Sequence, residues 1–377
     1  MSVPVGGTCA PRFAAVRSSF ESNFTEHGEL GGAVTVIVSG ETVVDLWGGW
    51  ADVARTRPWQ ADTLVNAYSV GKPIVALLLL QLVDAGDVGL DQPVARYWPD
   101  FAAHGKGEVT VRHALCHRAG VPAIRHPATN DDLWDFDRMC ELLAATEPWW
   151  EAGERHAYHT NTFGHLVGGI VRQVTGELPG QRLRGIAEGL GAEVHFGLPD
   201  DEHDRCAEVH WDSPAPTRAD PDDADLDDEL RMVLLGYVNP PGYSSIGVVN
   251  TAAWRRAQVP STNGHMTARG VARLYDAVLR GTLVGADTLA EAVRPQSSGF
   301  CPVLGQDVTF GLGFQPWTDH RPIGRTPAAY GHFGTGGSLG FADPSVDVAF
   351  GYVMNHVIPR WQSPRNRALV DAVYASL

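Results

Sequence analysis

Leu64-Val65-Asn66-Ala67-Tyr68-Ser69-Val70-Gly71-Lys72-Pro73 runs without a break into the apolar stretch Ile74–Leu80. Leu64–Tyr68 is a short apolar segment leading into Ser69. From Val70 to about Ala85 the pattern is that of a buried helix, and Gly86 ends it. Pro73 lacks the N–H that a helix interior needs, so the helix cannot begin much before Ser69. The same proline biases Lys72 away from helical dihedrals. Ser69 and Lys72 stand three apart at the helix start, a spacing that puts both side chains on one face. The positive end of the helix dipole and partial burial both disfavour an ammonium there, which moves Lys72 toward base strength.

The composition makes this lysine stand out. The chain has 29 basic residues, and only Lys72 and Lys106 are lysine. Arginine serves solubility and surface pairing equally well but cannot accept a proton at working pH. Lys106 lies in Gly105-Lys106-Gly107 and reads as an exposed turn. Lys72 sits against an apolar run, where an exposed ammonium would be out of place.

Outward from this stretch, Ala33–Val38 and Val43–Trp47 are β-branched runs joined by Ser39-Gly40, a hairpin pattern. Pro11 to about Thr25 reads as a helix, with Phe13, Val16, Phe20 and Phe24 at helical spacing. Strand-like runs return at Phe310–Trp317, Tyr330–Phe333, Ser338–Ala342 and Val346–Met354, and Asn366–Ser376 closes as a helix. Between them, Val109–Cys116, Leu133–Thr146, Thr162–Thr175 and Thr267–Gly281 look helical. The expected fold is α/β (α+β): an antiparallel sheet built from both chain ends and flanked by helices, with an inserted, mainly helical part. The boundaries expected are 1–86 plus 301–377 for the sheet domain and 87–300 for the insertion. Within it, 200–229 is an acidic surface excursion, and the Trp- and Tyr-rich stretch 237–260 reads as an ordered loop lining a cleft.

The chain is 377 residues long with a net charge of −15. That charge repels phosphate backbones and anionic lipid, so nucleic acid is not an expected partner. The longest strongly apolar run, Pro73–Val83, falls far short of the roughly 20 residues of a spanning helix. No leader pattern is visible, which points to the cytoplasm. Cys9, Cys116, Cys140, Cys206 and Cys301 are odd in number and scattered, as free thiols are. No cofactor motif occurs. The pairs His113/His117 and His156/His159 read as structural histidines, so no metal is expected.

A rival nucleophile is Ser338 in Gly336-Gly337-Ser338-Leu339-Gly340, which matches Gly-x-Ser-x-Gly. That motif needs a strand before it and a helix after it. Here a turn and another strand-like run follow, and only His356 remains downstream as a base.

Three further segments add to Ser69-x-x-Lys72: Leu115-Cys116-His117-Arg118-Ala119-Gly120, Trp150-Glu151-Ala152-Gly153 with Tyr158-His159-Thr160, and His332-Phe333-Gly334-Thr335-Gly336-Gly337. Their order and spacing resemble the serine β-lactamase and penicillin-binding-protein superfamily, in particular its class C-like branch with the family VIII carboxylesterases. The resemblance covers Ala33 to Met354. It implies Ser69 as the acylated nucleophile, Lys72 as the group assisting its deprotonation, and Tyr158 as a partner in the base role that returns a proton to the leaving group. It implies that His332 and Gly334 match Lys-Thr-Gly, and that the backbone N–H groups of Ser69 and Thr335 form an oxyanion hole. Acyl transfer needs such a nucleophile, a neutral base and two donors where negative charge develops.

Two positions depart from the family pattern. Thr160 stands where β-lactam-processing members usually carry Asn, and His332 where many carry Lys. Losing the fixed cation weakens the case for an anionic substrate. The expected function is therefore a serine hydrolase cleaving small carboxylic esters through an acyl-enzyme. A β-lactamase, a D-alanyl-peptidase or an acyltransferase on the same residues is the alternative, and a silent binding protein on this fold is the reading from another class. The oligomeric state is left open.

Overall fold

The structure is a computed structural model that describes residues 3–212, 226–358 and 362–377. Its centre is a seven-stranded antiparallel sheet in the order Val5–Cys9, Glu41–Gly49, Gly31–Val38, Val348–Met354, Leu339–Asp343, Tyr330–Phe333, Gln315–Pro316. The two chain ends meet in the middle, where Val348 pairs with Val38 and Met354 with Gly32. These two strands are almost wholly buried, so they read as continuous apolar runs rather than an alternation.

Helices cover both faces. Ala14–Glu26, entered through a 3-10 turn at Pro11–Phe13, packs against the C-terminal helix Pro364–Ser376. A buried ion pair, Arg365 Nη1 to Glu29 Oε1 at 3.2 Å, ties these ends, and the Tyr352 hydroxyl donates to the same carboxylate. On the other face lies Ala268–Leu279. A Cβ on Gly351 would come within 2.3 Å of the Ala268 carbonyl oxygen, so glycine there lets the helix seat directly on the strand. Although it falls within 87–300, this helix packs on the sheet.

The expected helix after Ser69 spans Gly71–Asp84, with Gly86 left-handed just beyond it. Nearly every residue of this helix is buried, and it packs against Thr162–Thr175, the helix expected at those residues. Lys72 is helical despite the proline that follows. Pro73 is the third residue of the helix, within the first turn, where an N–H has no intrahelical partner to lose.

Lys106 corrects an expectation. It is buried, not an exposed turn residue. His104 and Gly105 both take positive φ and fold the chain back, and Nζ donates to the carbonyls of Ala103 (2.7 Å) and Thr146 (2.5 Å). The stretch 237–260 is corrected as well. Tyr237 lies in the helix Asp228–Val238, whereas Tyr243 and Trp254 are core residues with satisfied polar ends. Tyr243 meets His165 Nδ1 at 2.8 Å, and Trp254 Nε1 donates to Asn66 at 3.0 Å. Of the acidic segment, 213–225 lies outside the described residues. Among the described residues no helix is long and apolar enough to cross a membrane.

Candidate active site

Ser69 sits in the 3-10 turn Tyr68–Val70, between the short strand Val65–Asn66 and the helix Gly71–Asp84. Tyr68 turns the corner with φ +55, a costly conformation for an aromatic residue. Packing holds it there: the ring is buried in a T-shaped contact with Trp211, and its hydroxyl accepts from Ser245 at 3.4 Å. The strained turn leaves Ser69 half-buried between buried neighbours.

Lys72 is fully buried. Its Nζ lies 3.0 Å from Ser69 Oγ, 2.6 Å from the Thr160 carbonyl and 3.1 Å from the Ser261 carbonyl. Ser261 arrives there because Gly71 has no side chain. A Cβ at Gly71 would stand 2.3 Å from the Pro260 carbonyl oxygen. Among the described residues no carboxylate pairs with Lys72, and burial holds its pKa well below the ordinary lysine value. The geometry suits the neutral amine. Carbonyl oxygens only accept, so two N–H bonds point at Thr160 and Ser261, and the nitrogen lone pair is left for Ser69 Oγ–H.

Tyr158 donates its hydroxyl to Ser69 Oγ at 3.0 Å. Its ring is held by Phe310, stacked at 5.6 Å and 9°, by His332 at 6.0 Å and 24°, and by His117 at 5.0 Å. Its own N–H donates to Cys301 Sγ at 3.2 Å. Burial pushes the phenol pKa above its ordinary value. Both shifts run toward the uncharged forms, and the Ser69 oxygen accepts from the phenol while its own proton can be donated to the amine.

His332 lies at the buried end of the strand Tyr330–Phe333. Its Nδ1 is 2.6 Å from the Phe333 carbonyl and must carry the proton, while Nε2 has no partner among the described residues. Burial first, and then the nearby Lys72, hold its pKa well below the usual histidine value. It is a neutral acceptor, not a substitute cation. The next residues run against the nucleophile turn. A Cβ on Gly334 would stand 2.3 Å from the Ala67 carbonyl oxygen, and Thr335 follows as an exposed residue opening a 3-10 turn. Thr160 takes part through its carbonyl, so its side-chain identity is not what holds Lys72.

Ser261, His117, Phe310 and Cys301 had no sequence signal as site residues. His117 lies in the quoted Leu115–Gly120 segment, where φ +64 turns its ring under Tyr158 and Phe310. Its Nδ1 accepts the His159 N–H at 3.1 Å. The His159 ring is also spoken for, taking the Val121 N–H on Nε2 and meeting the Ala157 carbonyl on Nδ1. His113 closes a capping box with Thr110. Each of these three rings is engaged by contacts within the protein. The rival nucleophile fails on geometry: Ser338 is buried, its Oγ has no partner among the described residues, and the strand Leu339–Asp343 follows instead of a helix. All five cysteines are unpaired.

Known proteins are similar to this chain over nearly its whole length. The chain is 34% identical to the esterase/beta-lactamase LipL of Mycobacterium tuberculosis, over 94% of this chain and 83% of that protein. The crystal structure of a family VIII carboxylesterase superposes with a TM-score of 0.89 at 36% identity, covering 99% of this chain and all of the other. A penicillin-binding-protein homologue from Caulobacter crescentus gives the same TM-score and coverage at 39% identity. The beta-lactamase family model matches residues 17–375, nearly the whole chain, and with relatives this close the protein belongs to that family.

Proposed function

We propose that the protein is a serine ester hydrolase that works through an acyl-enzyme on Ser69. The observation that carries this is the placement of one hydroxyl oxygen 3.0 Å from a buried, charge-poor lysine amine and 3.0 Å from a buried phenol. The Ser69 proton passes to Lys72 as Oγ attacks the ester carbonyl carbon. The developing oxyanion is met by the backbone N–H groups of Ser69 and Thr335, on segments brought together by the contact of Gly334 with Ala67. The phenol of Tyr158, re-protonated from Lys72, delivers a proton to the departing alkoxide. Water then repeats the sequence on the acyl-enzyme and frees Ser69.

Two observations support an ester over an anionic peptide. His332 presents a neutral acceptor where a fixed cation would bind a carboxylate. The packing around Tyr158 is mostly apolar, with Cys301, Val308 and Phe310 against Val303 and Leu304 and the Tyr237 hydroxyl donating to the Val303 carbonyl at 3.4 Å, while the Arg321 guanidinium lies near enough to act on Tyr158, Cys301 and His332. The apolar side of this packing suits a short apolar acyl or alcohol group. The family VIII carboxylesterase neighbour favours the same reading. A β-lactamase activity on the same residues is the second reading, and it rests on the double description of LipL. The five unpaired cysteines support a reducing compartment such as the cytoplasm.

The test compares initial rates on p-nitrophenyl butyrate and a chromogenic cephalosporin, with Ser69→Ala as the blank. A large ester preference that disappears in the variant, together with an acyl adduct on Ser69, is the expected outcome. A cephalosporin preference would replace the ester reading with the second one. Undiminished turnover by Ser69→Ala would remove both.

A further inference from the structure

Away from the Ser69 cleft, two histidines and an aspartate converge from distant parts of the chain. His210 and His356 are paired residues of two short parallel strands, His210–Trp211 and His356–Val357. Asp212 follows the first strand. The ligand-type atoms of His210, Asp212 and His356 all lie within 4.8 Å of one another. His356 Nε2 is 2.8 Å and His210 Nε2 3.5 Å from the same oxygen, Asp212 Oδ1. A tetrahedral site with bonds near 2.1 Å places its donor atoms about 3.4 Å apart, so small side-chain rotations suffice.

A second observation concerns what stands behind the ligands. His356 Nδ1 is 2.6 Å from the Gly28 carbonyl and 3.1 Å from Arg365 Nη2. These contacts hold the ring with Nε2 facing the cluster, the arrangement in which a metal-bound imidazole is held by outer hydrogen bonding. The strands themselves are fixed as well: His210 N–H donates to the Asn355 carbonyl at 2.7 Å. His210 and His356 are half-buried and Asp212 is exposed, so a fourth position is open to water.

We propose that His210, Asp212 and His356 bind a divalent transition-metal ion of the zinc class. Two imidazoles and one carboxylate suit Zn²⁺ or Co²⁺ rather than Mg²⁺ or Ca²⁺, which prefer all-oxygen shells. The ion lies outside the reaction and braces the wall behind it. Val357 packs against Gly336 in the turn that opens with Thr335, and Trp211 makes a T-shaped contact with Tyr68, beside Ser69.

The test is titration of the tag-free full chain with Zn²⁺ by calorimetry, and with Co²⁺ followed by its visible absorption. His210→Ala and Asp212→Asn are the comparison variants, since neither contributes to the Gly28 or Arg365 contacts. One equivalent should bind to the wild type and raise its Tm. Each variant should bind at least about tenfold more weakly and lose the tetrahedral Co²⁺ spectrum. Equal affinity in all three proteins would overturn the proposal, as would no uptake by the wild type at about 100 μM metal, far above the range of built zinc sites.

Discussion

The two lysines of this chain occupy environments that are alike in most respects. Each is buried, and each Nζ donates to two backbone carbonyls: Thr160 and Ser261 for Lys72, Ala103 and Thr146 for Lys106. Each lies over an aromatic ring, Tyr158 at 4.7 Å and Phe101 at 5.4 Å. The difference is what faces the remaining side of the nitrogen. At Lys72 it is the Ser69 hydroxyl, itself held by the Tyr158 phenol. At Lys106 no hydroxyl or carboxylate is in hydrogen-bond contact among the described residues, and its pKa is lowered by burial to about 8. Burial alone makes a lysine a weaker cation. A hydroxyl within reach gives the amine a proton to accept, the role proposed above for Lys72.

The largest effect that would break this comparison is loss of chemistry. Lys72→Ala and Ser69→Ala should each lower kcat/KM for p-nitrophenyl butyrate on the order of 10⁴-fold, because the groups act as a unit. Near-wild-type turnover by Lys72→Ala would make the two lysines equivalent. Tyr158→Phe should cost about 10²- to 10⁴-fold, the usual range for a positioned acid–base group. The acid limb of the wild-type pH–rate profile belongs to the amine, since protonating Lys72 removes its lone pair. It should therefore persist in Tyr158→Phe, and its absence there would assign the base to the phenol.

Lys106→Met should leave the kcat of the folded enzyme unchanged but lower stability by about 1–3 kcal/mol, read from urea unfolding, because the Thr146 carbonyl loses its buried donor. An unchanged midpoint would deny Lys106 its capping role. The smallest effect is a slope. Lys106 has a native pKa of about 8 against about 10.4 unfolded. Above pH 8 the unfolded chain binds more protons than the native one, so this group makes stability rise with pH across that window. The rise should be shallower in Lys106→Met, and parallel curves would show that the amine does not titrate with folding.

Legibility followed sequence distance. Ser69 and Lys72 are one helical turn apart, so their meeting could be anticipated from i, i+3 geometry and from the scarcity of lysine. The seven-stranded sheet was foreseeable in outline because apolar runs cluster at both chain ends. Tyr158, His332 and Thr335 carried no signal of their own and were named through a family resemblance. Ser261 escaped entirely, since it contributes a backbone carbonyl, which any residue supplies. Lys106 was misplaced because Gly-Lys-Gly is a turn pattern, and nothing local says whether a turn faces water or a helix end. Tyr243 and Trp254 were misplaced for a similar reason: an aromatic ring with a polar end suits a cleft or a core equally well.

By itself the sequence determined the local elements, the paired serine and lysine at a helix start, the acidic net charge and the absence of a long apolar span. These depend on near neighbours and on composition. Only the tertiary structure decided which lysine faces a hydroxyl, which carbonyls hold its protons, which rings pin the phenol, and that His210 and His356 stand side by side. Each of those depends on a contact between segments far apart in the chain, and such contacts are selected by the packing of the whole core rather than by any local pattern.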